Sequence, residues 1–166
     1  MEIIACFVVN PHGRLTLYSG KMQQRAAHSM DQDHPALQQA VEAIGRGEFD
    51  RSFRLVAELA RQGTAIAQHF LGWHYHKGIG TDQDDRQACV WWLRAAQQGL
   101  PEAQQGIGWA YANGRGVDQD LEEAYRWYNR AVAGGDEEAR QGLSEVAEQL
   151  SPEQLRGLEL EQPQGN

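Results

Sequence analysis

The sequence predicts an all-α solenoid of stacked helix hairpins, opened by a short β-hairpin and closed by a capping helix. Three observations predict it. The stretch Ala67–Glu102 falls on Ala103–Glu138 at a shift of 36 residues, with 16 identities and no gap. Within each copy the apolar residues recur at three- and four-residue spacing, the period of a helix face. Paired glycines separate the two periodic segments, where a chain leaving a helix needs positive φ. A fixed period of this length marks an array in which each unit buries its apolar face on the next.

The elements follow in order. Residues 1–34 read as an N-terminal β-hairpin and linker, of which the first 20 belong to no repeat. Ile3–Val9 and Arg14–Ser19, around Asn10-Pro11-His12-Gly13, read as a β-hairpin. A lone hairpin is marginal in water, so it should dock on the first helices or on a second copy as a dimer contact. Residues 23–34 read as polar linker or the start of a helix. Residues 35–66 read as a helix pair closed by the short turn Arg46-Gly47-Glu48-Phe49-Asp50.

Residues 67–150 hold the array. Each unit opens with a helix bearing Ala67, Leu71 and Tyr75, or Ala103, Ile107 and Tyr111, on one face. Gly72 and Gly108 lie beside that stripe and allow another helix to approach. The loops Gly78-Ile79-Gly80 and Gly114-Arg115-Gly116 come next. Asp84 and Asp120 then stand as N-caps, with Gln87 and Glu123 three residues on. A second helix follows, with Ala88, Trp91, Trp92, Ala95 and Ala96 matched by Ala124, Trp127, Tyr128, Ala131 and Val132 in a buried-stripe pattern. Gly99 and Gly135 end it. A third unit starts at Ala139-Arg140-Gln141-Gly142-Leu143, but Ser144 stands where the glycine should be and Ala147 where the tyrosine should be. Residues 151–166 begin with Ser151-Pro152-Glu153-Gln154, the start signal of a short capping helix to about Glu159, with residues 162–166 frayed.

The series Ala67, Leu71, Gly72, Tyr75, Gly78, Gly80, Asp84, Ala88, Trp91, Ala95, Gly99, with its copy 36 residues on, resembles the Sel1-like repeat. That repeat is a relative of the tetratricopeptide repeat with a longer glycine-rich loop between its helices. The pair at 35–66 is nearer to the tetratricopeptide style. The resemblance implies an α/α solenoid that works as a non-catalytic adaptor or scaffold, similar to bacterial adaptors in signalling, secretion and envelope assembly. It implies no cofactor and a protein or peptide as partner.

Composition limits the alternatives. The chain of 166 residues is 41% hydrophobic and 23% charged, which suits one soluble domain with its own core. Its net charge is −8, and residues 136–166 carry eight carboxylates against Arg140 and Arg156. Such a surface repels phosphates, which excludes nucleic acid and anionic membrane as expected partners. Ile3-Ile4-Ala5-Cys6 looks like a lipoprotein cleavage site, yet a working signal needs a basic stretch and about 7–15 apolar residues ahead of it. Only Met1 and Glu2 precede it here. Cytoplasmic is therefore the expected location. Cys6 and Cys89 are too few and too far apart for a disulfide framework.

Candidate chemistry is thin. His69, His74 and His76 raise a metal or hydrolase reading, but the helical wheel puts His74 toward the core side and leaves His69 and His76 exposed on another face. Asp82-Gln83-Asp84 and Asp118-Gln119-Asp120 lack the glycine and glutamate of a calcium loop and read as helix caps. Gly13–Lys21 lacks the glycine spacing and hydroxyl of a phosphate loop, and no nucleophile motif appears. No catalytic residue and no metal ligand is expected.

What is left is the face that the repeats do not spend on packing. With Ala67, Leu71 and Tyr75 inward, Trp73 points outward beside His69, His76 and Lys77. Trp109 takes the same place, beside Gln105, Ala112 and Asn113. First helices of such solenoids usually line the inner curve, which puts the two tryptophans about 10 Å apart. One reading is a partner-binding groove formed by Trp73, Trp109, His69, His76, Lys77, Gln105 and Asn113, aromatic residues being enriched in binding hot spots. The other is that both tryptophans pack against neighbouring helices. Trp91, Trp92, Trp127 and Tyr128 read as core. A rival function, an immunity or inhibitor protein for a secreted bacterial effector, would use the acidic surface to mask a basic enzyme.

Overall fold

The computed structural model describes residues 7–9, 15–17 and 35–161. Among them are eight helices: α1 (Pro35–Gly45), α2 (Phe49–Arg61), α3 (Ala65–Lys77), α4 (Asp85–Gln97), α5 (Pro101–Asn113), α6 (Leu121–Ala133), α7 (Ala139–Ala147) and α8 (Pro152–Glu161). They pack as consecutive hairpins, α1 on α2, α3 on α4 and α5 on α6, with each hairpin resting on the next. The fold is an all-helical solenoid. Phe7–Val9 and Leu15–Leu17 pair antiparallel, with Phe7 opposite Leu17. Three residues a side do not make a layer, so a β-hairpin as an opening element of the fold is not supported by them. The rest of the expected hairpin lies outside the described residues, as do linker 23–34, Cys6 and tail 162–166. No helix among the described residues is long and apolar enough to cross a membrane.

The two 36-residue units are built from repeated contacts. Gly78 and Gly114 close α3 and α5 at φ of 66° and 61°. The backbone N–H of Asp84 then returns to the Tyr75 carbonyl at 2.9 Å, and that of Asp120 to Tyr111 at 3.0 Å. Each aspartate next caps the following helix. Asp84 accepts from the Gln87 N–H, and Asp120 from those of Glu122 and Glu123, all at 3.0 Å. At α8 the capping box is complete: Ser151 and Gln154 each accept the other's backbone N–H. α3 and α5 begin two residues earlier than the identities suggest. Thr64 and Leu100 take the N-cap positions and Pro101 supplies the fixed φ of a first helical residue.

The core is divided among three clusters. Leu37, Val56, Leu59 and Leu71 fill the first, Trp92, Ile107 and Trp127 the second, and Tyr128, Val146, Leu150 and Leu158 the third. The second-helix aromatics act as wedges between glycines. Trp92 of α4 lies against Gly72 of its own hairpin and Gly106 of the next. Thirty-six residues on, Tyr128 of α6 lies against Gly108 and Gly142 in the same way. At the end of the series Ser144, exposed, occupies the place of Gly72 and Gly108. No second helix packs on it as α4 and α6 do on their own hairpins; α8 rests on α6 instead, joined there by Gln154 to Glu122 at 3.0 Å.

Candidate functional site

Trp73 stands in the middle of α3 and Trp109 in the middle of α5, each half-buried. The Trp109 ring meets the His76 ring edge-on at 4.9 Å and the Trp92 ring at 6.4 Å, and it also packs on the third cluster beside α7. Trp73 lies edge-on to His74 at 5.8 Å. Each indole is thus partly seated in the stack and partly open to solvent, which combines the two readings that the sequence left apart.

Around Trp109 the helices bring together a polar cluster that the sequence did not reveal. His76, at the end of α3, has its Nδ1 2.7 Å from Asp85 Oδ1 at the start of α4. A carboxylate only accepts, so Nδ1 carries the proton. The second oxygen of Asp85 meets Arg115, from the loop after α5, at 2.6 Å. The imidazole also lies between Trp92, at 5.6 Å, and Trp109. Three segments of two repeats therefore meet at Asp85. No regularity could have announced it, because the residues 36 positions on from His76 and Asp85 are Ala112 and Leu121.

The other expected site residues are placed unequally. Lys77 is exposed and Gln105 half-buried. Asn113 is exposed, but its amide donates to the Trp109 carbonyl at 2.8 Å and so fastens the end of its own helix.

The expectation of two exposed histidines needs correction. His76 is held as described, and His69 is half-buried, with its Nδ1 sealed from solvent and without a hydrogen-bond partner. The α4 wedge Trp92 reaches across to α3, lying 5.6 Å from the His76 ring and donating to the His69 carbonyl at 3.2 Å, while the His69 ring meets Phe70. His74 is fully buried. Its Nδ1 lies 2.7 Å from the Ile79 carbonyl, which can only accept, so Nε2 takes the hydrogen of the Ser52 hydroxyl at 3.2 Å. A serine beside a histidine suggests nucleophilic catalysis, but both are closed to substrate at 0% exposure. In the next unit Ala88 and Ala110 replace this pair, and the Cys89 thiol donates to the Arg115 carbonyl at 3.1 Å instead. The corresponding loop carbonyl is satisfied in each unit by a different side chain. The three histidines thus serve separate neighbours, and among the described residues no group of three or more potential ligands is placed to hold a metal ion.

Burial pushes the His69 imidazole down to about 4 and lowers His74 as well, although the Ile79 carbonyl partly offsets the second. Below the ordinary histidine value of 6.5 an unfolded chain takes up protons that these folded rings refuse. The native state then binds fewer protons, and its stability falls as pH drops from 6.5 toward 4. Between pH 7.5 and 5.5 the expected loss at His69 is on the order of 1 kcal/mol. Urea midpoints at the two pH values measure it, and His69→Asn should flatten the slope; equal slopes would refute the assignment.

Not all the tryptophans read as core are buried. Trp92 and Trp127 are, whereas Trp91 is half-buried, with the Arg94 guanidinium over its ring at 4.5 Å and its Nε1 sealed without a partner. Arg130 repeats the arrangement over Trp127 at 4.6 Å.

The comparisons with known proteins agree with this geometry. The Sel1 repeat model matches residues 65–100 and 101–136, the frame that the helix starts define. A protective antigen present in uropathogenic Escherichia coli strains, displaying an SLR fold, is similar with a TM-score of 0.70 and 27% identity over 78% of this chain and 29% of its own. A Sel1 repeat protein from Oxalobacter formigenes gives 0.58 and 26% over 74% of this chain and 54% of its own. Cysteine rich protein B of Helicobacter pylori shares the fold, with 0.53 and 20% over 68% and 96%. The chain thus spans less than two thirds of the length of the first two. No curated protein sequence matches it at a significant level. The chain thus carries two adjacent, complete Sel1 repeats in register, at residues 65–136, and its helices follow them.

Proposed function

We propose that the protein is a non-catalytic scaffold that binds another protein, or a peptide from one, on the inner face formed by α3, α5 and α7. Sel1 repeats in general build scaffolds for protein interaction. The observation that carries the reading to this face is the pair Trp73 and Trp109. Two indoles in equivalent places are anchored at one side and open at the other, and such rigid aromatic area has little side-chain entropy to lose on binding. Their surroundings differ between units, His69, His76 and Lys77 against Gln105, Ala112 and Asn113, which gives a partner a direction to read.

Mutation tests the reading. Trp73→Ala and Trp109→Ala, each with its helical content verified by circular dichroism, should each lower capture of the specific partner in pull-downs at least tenfold. Unchanged capture by folded variants would place the interaction elsewhere.

A further inference from the structure

The register of the repeat extends the same face beyond the two tryptophans, and its chemistry changes there. Thirty-six residues after Trp109 stands Glu145, and thirty-six after Ala112 stands Glu148, at the end of α7. Trp109 packs on the cluster containing Ala139 and Val146 of α7, so these glutamates continue the row that Trp73 and Trp109 begin. Both are exposed. The Glu145 carboxylate accepts from the Gln141 amide at 2.8 Å, and among the described residues neither carboxylate meets a cation. The nearby guanidiniums are engaged elsewhere, Arg140 with Glu137 and Arg126 with Glu122 and Glu123.

Helix ends reinforce the contrast. The carbonyl end of a helix carries partial negative charge. The last turn of α3 holds His74, His76 and Lys77, whereas that of α7 holds no basic residue. One end of the row is thus aromatic with an ammonium beside it, and the other end is doubly acidic over an uncompensated helix terminus. On a chain of net charge −8, no cation among the described residues answers that end.

We propose that the occupant of this face is an extended protein segment bearing two apolar side chains for Trp73 and Trp109 and a lysine or arginine for Glu145 and Glu148. Successive first helices lie about 10 Å apart, and a chain in the extended polyproline II form advances about 3.1 Å per residue with three residues per turn, so each step along the row is one turn of about three residues on the same side of the segment. The segment therefore reads apolar, two residues, apolar, two residues, basic, in either chain direction. Lys77 repels the basic residue from the opposite end and sets the register. This rests on the inner-face reading above and adds the chemistry of the partner.

Selection of a short random-peptide library displayed on phage against the purified protein tests it. The enriched peptides should carry that spacing. The double charge reversal Glu145→Lys with Glu148→Lys should weaken their binding about tenfold at low salt, and much less at high salt. Enriched peptides without a basic residue would overturn the proposed chemistry. So would affinity that survives the charge reversal but is lost in Trp109→Ala; both results leave the inner-face reading standing. No enrichment, or enriched peptides that bind Trp73→Ala/Trp109→Ala as tightly as the wild type, would overturn both.

Discussion

Gly116→Ala is expected to lower stability by about 3–4 kcal/mol, well beyond the cost of an alanine in an ordinary glycine position. Gly116 sits at φ of 75° in the loop between α5 and α6, a region that costs an L-residue about 1 kcal/mol or more. The added methyl would also be driven into the Asp85 carbonyl at the start of α4, with the Arg86 nitrogen 2.8 Å away. These are backbone atoms that cannot rotate aside, so one hairpin must move off the other. Asp85 is in addition the residue on which His76 and Arg115 converge. Gly99→Ala separates the two causes. Gly99 has φ of 88° but nothing within 4 Å of its would-be methyl, so it should lose only about 1 kcal/mol. Urea unfolding measures both variants. Equal losses would show that backbone conformation, not the approach of the hairpins, makes Gly116 indispensable.

Trp92→Ala is expected to cost about 4 kcal/mol, near the middle of the range for large aromatic truncations in a core. The ring is 5% exposed, seated between Gly72 and Gly106, and its indole N–H satisfies the His69 carbonyl. Gly72→Ala should be costly for the reciprocal reason, since its methyl would lie 2.5 Å from the Trp92 ring. In the Trp92→Ala background those ring contacts are gone, and the same change meets the Ala88 carbonyl at 3.0 Å. It should then cost little, because alanine favours a helix over glycine by about 1 kcal/mol. A double-mutant cycle should therefore report a coupling of about 2 kcal/mol or more between the two positions. Additive effects would show that the indole does not act as a wedge.

The parts of the fold that repeat could be read from the sequence, because repetition separates signal from accident. Asp84 and Asp120 announced their helices by spacing alone, as did Gly78 and Gly114 their ends. Gly72 and Gly108 were legible as points of close approach. Their counterparts Gly106 and Gly142 are not, although the same shift relates them. The sequence shows that a glycine recurs but not which aromatic it faces across the hairpin boundary. The candidate site was legible only in outline. Trp73 and Trp109 stand out by repetition, but the partial burial of Trp109 depends on neighbours from other helices, His76 of α3 and Trp92 of α4. The contacts Ser52–His74 and His76–Asp85–Arg115 occur once each, and nothing in one sequence links residues 22, 9 or 30 positions apart. The helical wheel oriented His74 correctly toward the core. It misjudged His69 and His76 because a wheel treats a helix as isolated, and Trp92 reaches across to α3.

The wedge arrangement has a bearing on how long such a chain can grow. A first helix that takes an aromatic wedge from both sides needs two small residues, one for the aromatic before it and one for the aromatic of its own partner; α3, preceded by Val56 instead of an aromatic, has Phe70 in the first of these places. α5 has both, Gly106 and Gly108. α7 has only Gly142, with Ser144 in the second place. It can accept what precedes it but has no seat to offer a successor. A second helix packing on α7 as α6 packs on α5 would have to meet the Ser144 side chain in place of a glycine. A further 36-residue copy spliced between Leu100 and Pro101 would meet a fitting surface on either side, whereas the same copy joined after Leu150 would find none. The difference between a seat and none is one hydroxymethyl group.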